Sequence, residues 1–69
     1  MFNQNALKAA LAMKGKTLAN LAAYLGINKS TLSKKINGRS EWTLPEIQKT
    51  GDVVGKEKIK EIFFDEKVS

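Results

Sequence analysis

Apolar residues in the first half of the chain recur three and four positions apart, the spacing that gathers them on one face of a helix. Leu7 and Leu11 stand one turn apart behind Asn3 or Asn5, either of which can cap, so a first helix is expected over about residues 6–14. Leu18, Leu21, Ala22 and Leu25 repeat the pattern behind Thr17, a good N-cap, and predict a second helix over about 18–25 that Gly26 ends. A third helix, about 29–36, opens at Asn28, turns Leu32 and Ile36 inward and closes at Asn37-Gly38.

After a polar stretch, Thr43-Leu44-Pro45-Glu46 reads as a capping box with proline in the first turn. It starts a fourth helix, about 44–54, with Leu44, Ile47 and Val54 toward the core. Gly51 interrupts that helix at a propensity cost of about 1 kcal/mol. Gly55 breaks the chain before a last short helix, about 56–64, on which Ile59, Ile62 and Phe63 share a face. No strand-like alternation and no internal repeat competes. The pattern predicts one all-α domain over residues 1–69, a small five-helix orthogonal bundle.

Composition narrows what such a bundle can do. With 69 residues and no cysteine, the chain has no disulfide and no thiolate for zinc. Histidine is absent as well, which removes the commonest general base and metal ligand. No carboxylate precedes Glu41, so no nucleophile–base pair or metal cluster assembles convincingly, and neither an enzyme nor a cofactor site is expected. No apolar run approaches the roughly 20 residues of a membrane span, and no signal-peptide pattern is present. A soluble, cytoplasmic protein with no membrane partner and no small-molecule ligand is the expectation.

Charge is distributed unevenly. Residues 1–40 carry seven basic side chains and no acidic one, whereas residues 41–69 carry five basic and seven acidic ones. The halves therefore hold +7 and −2. Lysines that merely solubilise a small domain would explain a positive total. A cationic half facing a near-neutral one additionally suits a polyanion held on one side.

The stretch around residues 26–28 gives that cationic half a geometry. Ala22 is small where two helices must approach, Gly26 can take the positive φ of a sharp turn, and Ile27 can plug the angle between them. With a capped polar helix beyond, these features together are specific for a helix-turn-helix. On a wheel of about 100° per residue with Lys29 at zero, Leu32 falls near about 300° and Ile36 near about 340°. The opposite direction, about 140°, holds Lys34, flanked by Ser30 and Thr31, with Lys29 and Ser33 on one side and Lys35 on the other. Short hydroxyls let a helix sit deep in the major groove, and a lysine can donate to guanine O6 and N7. Asn28 and the first-turn amides suit a phosphate oxygen, and the loop Asn37-Gly38-Arg39-Ser40 is fitted to a nucleic-acid backbone.

From Thr17 through Leu-Ala-Asn-Leu-Ala-Ala-Tyr-Leu-Gly-Ile-Asn-Lys-Ser-Thr-Leu-Ser-Lys-Lys-Ile-Asn-Gly to Arg39, the chain resembles the Cro/cI-type (XRE-like) helix-turn-helix family of phage repressors and related bacterial regulators. The likeness extends through the fourth helix. It implies a lambda-repressor-like DNA-binding fold, with the helix-turn-helix over about residues 17–37. It also implies a partner, double-stranded DNA, bound at an inverted repeat by a homodimer. Base contacts are implied for Lys29, Ser30 and Lys34, and the wheel adds Thr31 and Ser33. Phosphate contacts are implied for Thr17, Asn28, Asn37 and Arg39, to which the cationic flank and loop add Lys35 and Ser40.

Two positions depart from the family pattern. Leu18 stands where members usually carry a phosphate-touching glutamine, so that contact is lost or replaced. Lys35 stands where an apolar residue is usual, with Ile36 taking the buried role.

Outside the reading stretch, Trp42 is expected as a lid on the core. Adjacent Phe63 and Phe64 cannot both turn inward, which makes Phe64 the candidate dimer contact. Asp65 and Glu66 read as a frayed acidic tail. Two other functions share this fold. One is the DNA-binding antitoxin of a toxin–antitoxin pair, its last helix gripping a toxin. The other is a protein-binding module that has lost DNA, against which the carboxylate-free basic face argues.

Overall fold

In the computed structural model, which describes residues 2–64, five α-helices follow one another with no strand among the described residues. They are α1 Gln4–Met13, α2 Leu18–Leu25, α3 Lys29–Ile36, α4 Leu44–Val54 and α5 Ile59–Phe63, the last preceded by a 3₁₀ turn, Lys56–Lys58. Asp65 and Glu66 lie outside the described residues.

Each of the first four helices starts where a side chain replaces a missing backbone partner. Asn3 rather than Asn5 caps α1, its Oδ1 accepting from the Ala6 N–H at 3.0 Å. Thr17 and Asn20 form a reciprocal pair at the start of α2, and Thr43 and Glu46 do the same for α4. The core collects the apolar stripe of every helix: Leu7 and Leu11, Leu21 and Leu25, Leu32 and Ile36, Val54, and Ile62 with Phe63. Helix α4 lies centrally, packed against α1, α2 and α5, while α3 packs on α2.

The aromatic lid is larger than the expected lone Trp42. Phe2 stacks on Trp42 with ring centroids 5.3 Å apart, and Phe63 meets the Trp42 ring edge-on at 4.9 Å. Next to them the Asn3 N–H donates to the Ile62 carbonyl at 2.6 Å, so the start of the chain is sewn to α5. The Trp42 Nε1–H is buried without a partner, at a cost of order 1–3 kcal/mol that the three-ring packing must offset.

Two expectations about α4 are corrected. Leu44 is not in the core but 65% exposed. Side chains tilt toward a helix's N-terminus, so one at the first helical position hangs past the packed length. The buried stripe begins a turn later, with Ile47 half-buried and Thr50, Gly51 and Val54 buried. Nor does Gly51 interrupt the helix, which runs through it unbroken. A Cβ there would overlap Ile59 Cδ1 and stand 3.0 Å from its Cγ1. Glycine at this point seats α5 against α4.

Candidate nucleic-acid interface

Helices α2 and α3 are joined by residues 26–28, and two hydrogen bonds shape the corner. The Ile27 N–H donates to the Ala22 carbonyl at 3.1 Å and the Gly26 N–H to the Ala23 carbonyl at 3.2 Å. This pairing requires a left-handed residue, and Gly26 supplies φ 75°. Ile27 is half-buried against the core, as the plug between the helices. Across the base of the pair, the exposed Tyr24 hydroxyl donates to Asp52 Oδ2 at 3.1 Å, tying α2 to α4. The bond to that carboxylate, reinforced by its charge, raises the Tyr24 pKa above its ordinary value.

Asn28 opens α3. Its Oδ1 accepts from the Thr31 N–H at 2.9 Å and from the Ser30 hydroxyl at 2.9 Å. The carboxamide oxygen is committed to the cap, while its NH₂ group has no acceptor among the hydrogen bonds of the described residues. Ser30 keeps its lone pairs as acceptors. Thr17 has a similar double character: its Oγ1 accepts from the Asn20 N–H at 3.1 Å, leaving the hydroxyl proton to donate.

Of the residues assigned to the reading face, Lys29, Ser30, Ser33 and Lys34 are exposed, and Thr31 is half-buried. Leu32 and Ile36 are buried as expected. Lys35 is not where it was expected. In place of an exposed flank, it is 7% exposed, within hydrogen-bond reach of two oxygens. Its Nζ donates to the Glu41 carbonyl at 2.9 Å and lies 3.0 Å from Glu46 Oε1. Its ammonium is turned to those two oxygens rather than to solvent.

With Lys35 counted inward, the buried direction of α3 moves from about 320° to about 290° on the wheel. The outward direction becomes about 110°, so Ser30 and Lys34 straddle its centre and Thr31 falls to one flank. That rotation matches the partial burial of Thr31. The sequence signal for it was the lysine in a position where the resemblance calls for an apolar side chain.

Glu46 is the residue sequence reasoning undervalued. Besides closing the capping box, where its Oε1 accepts from the Thr43 N–H at 2.9 Å, it carries the counter-charge for Lys35. Its burial favours the neutral acid, but the Thr43 N–H, the Lys35 ammonium and the Thr43 hydroxyl outweigh that, and its pKa lies below the ordinary 4.5.

The helix then ends in a second glycine-dependent turn. The Arg39 N–H donates to the Lys34 carbonyl at 2.8 Å and the Gly38 N–H to Lys35 at 3.3 Å, with Gly38 at φ 79°. The turn presents Asn37 and Arg39 exposed and Ser40 half-buried, beside the exposed end of α3. Among the described residues, the only ion pair is that of Lys35. Lys29, Lys34 and Arg39 thus keep their charge for an outside partner. Phe64, the candidate dimer contact, is 55% exposed at the end of α5, while Phe63 is buried.

Among known proteins, the model of the family described as "Protein of unknown function (DUF739)" matches residues 1–66. The chain belongs to that family. No curated protein and no solved structure matches it. What the surface can do is therefore read from its chemistry. Three free cations and four short hydroxyls occupy one helix and the loop after it, with every carboxylate kept off that helix. Such a face has the charge and shape to suit a grooved polyanion.

Proposed function

We propose that this DUF739 member is a sequence-specific, non-enzymatic DNA-binding regulator of transcription, of Cro-like or short-repressor type. On this reading α2, the turn at residues 26–28 and α3 form a helix-turn-helix. Helix α3 lies in the major groove, Ser30 and Lys34 meet base edges at its centre, and Lys29, Ser33 and Thr31 lie around them. Thr17, Asn28, Asn37, Arg39 and Ser40 hold phosphates on either side. The observation that carries the proposal is the carboxylate-free outward face of α3, continuous with the Arg39 loop.

One such helix spans too few base pairs for a unique site. Two-fold pairing through the C-terminal third doubles the contacts and suits an inverted repeat with half-sites one DNA turn apart. Phe64 is the residue assigned to that pairing, on DNA if not before. The protein would act in the cytoplasm, at the nucleoid.

A salt titration on duplex DNA tests the proposal. Arg39 neutralises a phosphate directly, and the Lys29 and Lys34 ammonium groups displace condensed cations from the groove they enter. Two protomers therefore release about six counterions, for a log–log slope of affinity against salt of about −5. A slope near zero would refute it.

A further inference from the structure

We infer that Lys35 is the positioning residue of this surface: from inside the protein, it holds the loop between α3 and α4 so that Arg39 and Ser40 stand in fixed register with the outward face of α3. The inference rests on the DNA-binding reading for its purpose, and on geometry alone for its existence.

Ahead of Trp42, whose ring is packed against Phe2 and Phe63, the loop has two polar anchors. Near α3 the Gly38 and Arg39 N–H groups are bonded back to the last turn of the helix. At the far end the anchor is the Lys35 ammonium, which takes the Glu41 carbonyl at 2.9 Å and the Glu46 carboxylate at 3.0 Å. Through the same Oε1, Glu46 takes the Thr43 N–H. One cation therefore joins the last turn of α3, the backbone of the loop and the first turn of α4. Arg39 and Ser40 lie between the two anchors.

Stability alone is a poor reason to keep this arrangement. Withdrawing an ammonium and a carboxylate from water offsets most of their attraction, and an apolar pair of similar volume commonly serves the fold as well. An apolar side chain at position 35 fills the same space, but it has no donor for the Glu41 carbonyl. What the lysine adds is a tether on the stretch between the end of α3 and Trp42, whose ring is held separately by Phe2 and Phe63.

The test uses Lys35→Met, which keeps most of the buried stem and removes the donors. In the free protein, backbone ¹⁵N relaxation should show order parameters at residues 39–41 falling from about 0.85 toward 0.6 or below. Those of α1 and α2 should not move. On a random-sequence 20-base-pair duplex, Lys35→Met should weaken binding about tenfold, but less than about threefold in an Arg39→Ala background, because the loop contact is then already gone. A lysine that only stabilised the fold would weaken binding equally in both backgrounds. Should Lys35→Met unfold through the unpaired Glu46, the double variant Lys35→Met/Glu46→Gln removes both charges, keeps an acceptor for the Thr43 N–H, and should loosen the loop in the same way.

A loop that stays ordered without the donors, or losses that add across the Arg39 background, would overturn the inference. A wild-type protein that ignores duplex DNA would overturn the reading of the surface instead, and relaxation alone would then decide the tether.

Discussion

Replacing Gly51 by alanine sets two opposed effects against each other. In the middle of an exposed helix the change should stabilise by about 1 kcal/mol, the propensity difference between the two residues. At this position the new methyl would run into Ile59 Cδ1 and press on Cγ1 at 3.0 Å, with Lys56 Cα at an ordinary 3.6 Å. The end of the Ile59 side chain can swing away, but Cγ1 is one bond from Cβ, so relief needs a new rotamer or a shift of α5. Overpacking of this kind costs about 1–3 kcal/mol. The net expectation is a loss of about 1 kcal/mol, or about 4–8 °C in Tm for a domain of this size.

The background Ile59→Ala removes the obstacle, and there Gly51→Ala should change sign and stabilise by up to about 1 kcal/mol. Urea unfolding followed by the fluorescence of Trp42, the sole tryptophan, reads all four corners of the cycle. If Gly51→Ala stabilises the wild type as much as it does Ile59→Ala, the close seating of α5 on α4 is wrong. The placement of Phe64 at the end of α5 would be wrong with it.

Three further outcomes are expected. Lys34→Ala should cost about 1–3 kcal/mol on the best DNA site and relax preference at one or two base pairs, whereas Arg39→Ala should weaken all sequences alike in filter-binding or anisotropy titrations. Because Glu46 releases its proton more readily when folded than in its ordinary range near 4.5, its contribution to stability is present above that range and lost as pH falls through the folded value. The stability gap between wild type and Glu46→Gln should therefore close on acidification in urea melts. Phe64→Ala should leave the melting temperature nearly unchanged, since the ring is 55% exposed, yet reduce cooperativity of DNA binding and self-association in sedimentation.

The boundaries of α2, α3 and α4 were legible because each is marked by local chemistry. Thr17, Asn28 and Thr43 cap within three residues, and the glycines after α2 and α3 are demanded by the turns themselves. The inward and outward members of the pair Phe63-Phe64 were legible for the same reason: neighbours on a helix cannot share a face. What escaped depends on groups far apart in the chain. The burial of Lys35 is set by a carboxylate eleven residues on, visible locally only as half of a capping box. The role of Gly51 is set by Ile59, and the aromatic lid by Phe2, forty residues before Trp42. Leu44 matched the stripe by spacing and failed because it sits at the end of the helix, where spacing alone overstates burial. At the candidate site the chain showed which helix and loop to consider, and tertiary packing turned that helix by about 30°.

Selection of bound sequences from a random pool of duplex DNA tests the central claim most directly. The account predicts enrichment of an inverted repeat whose half-site centres lie about 10–10.5 base pairs apart, with Lys34→Ala altering the same one or two positions in both halves. No enrichment over the starting pool, or an enriched motif that Ser30→Ala and Lys34→Ala both leave untouched, would contradict it.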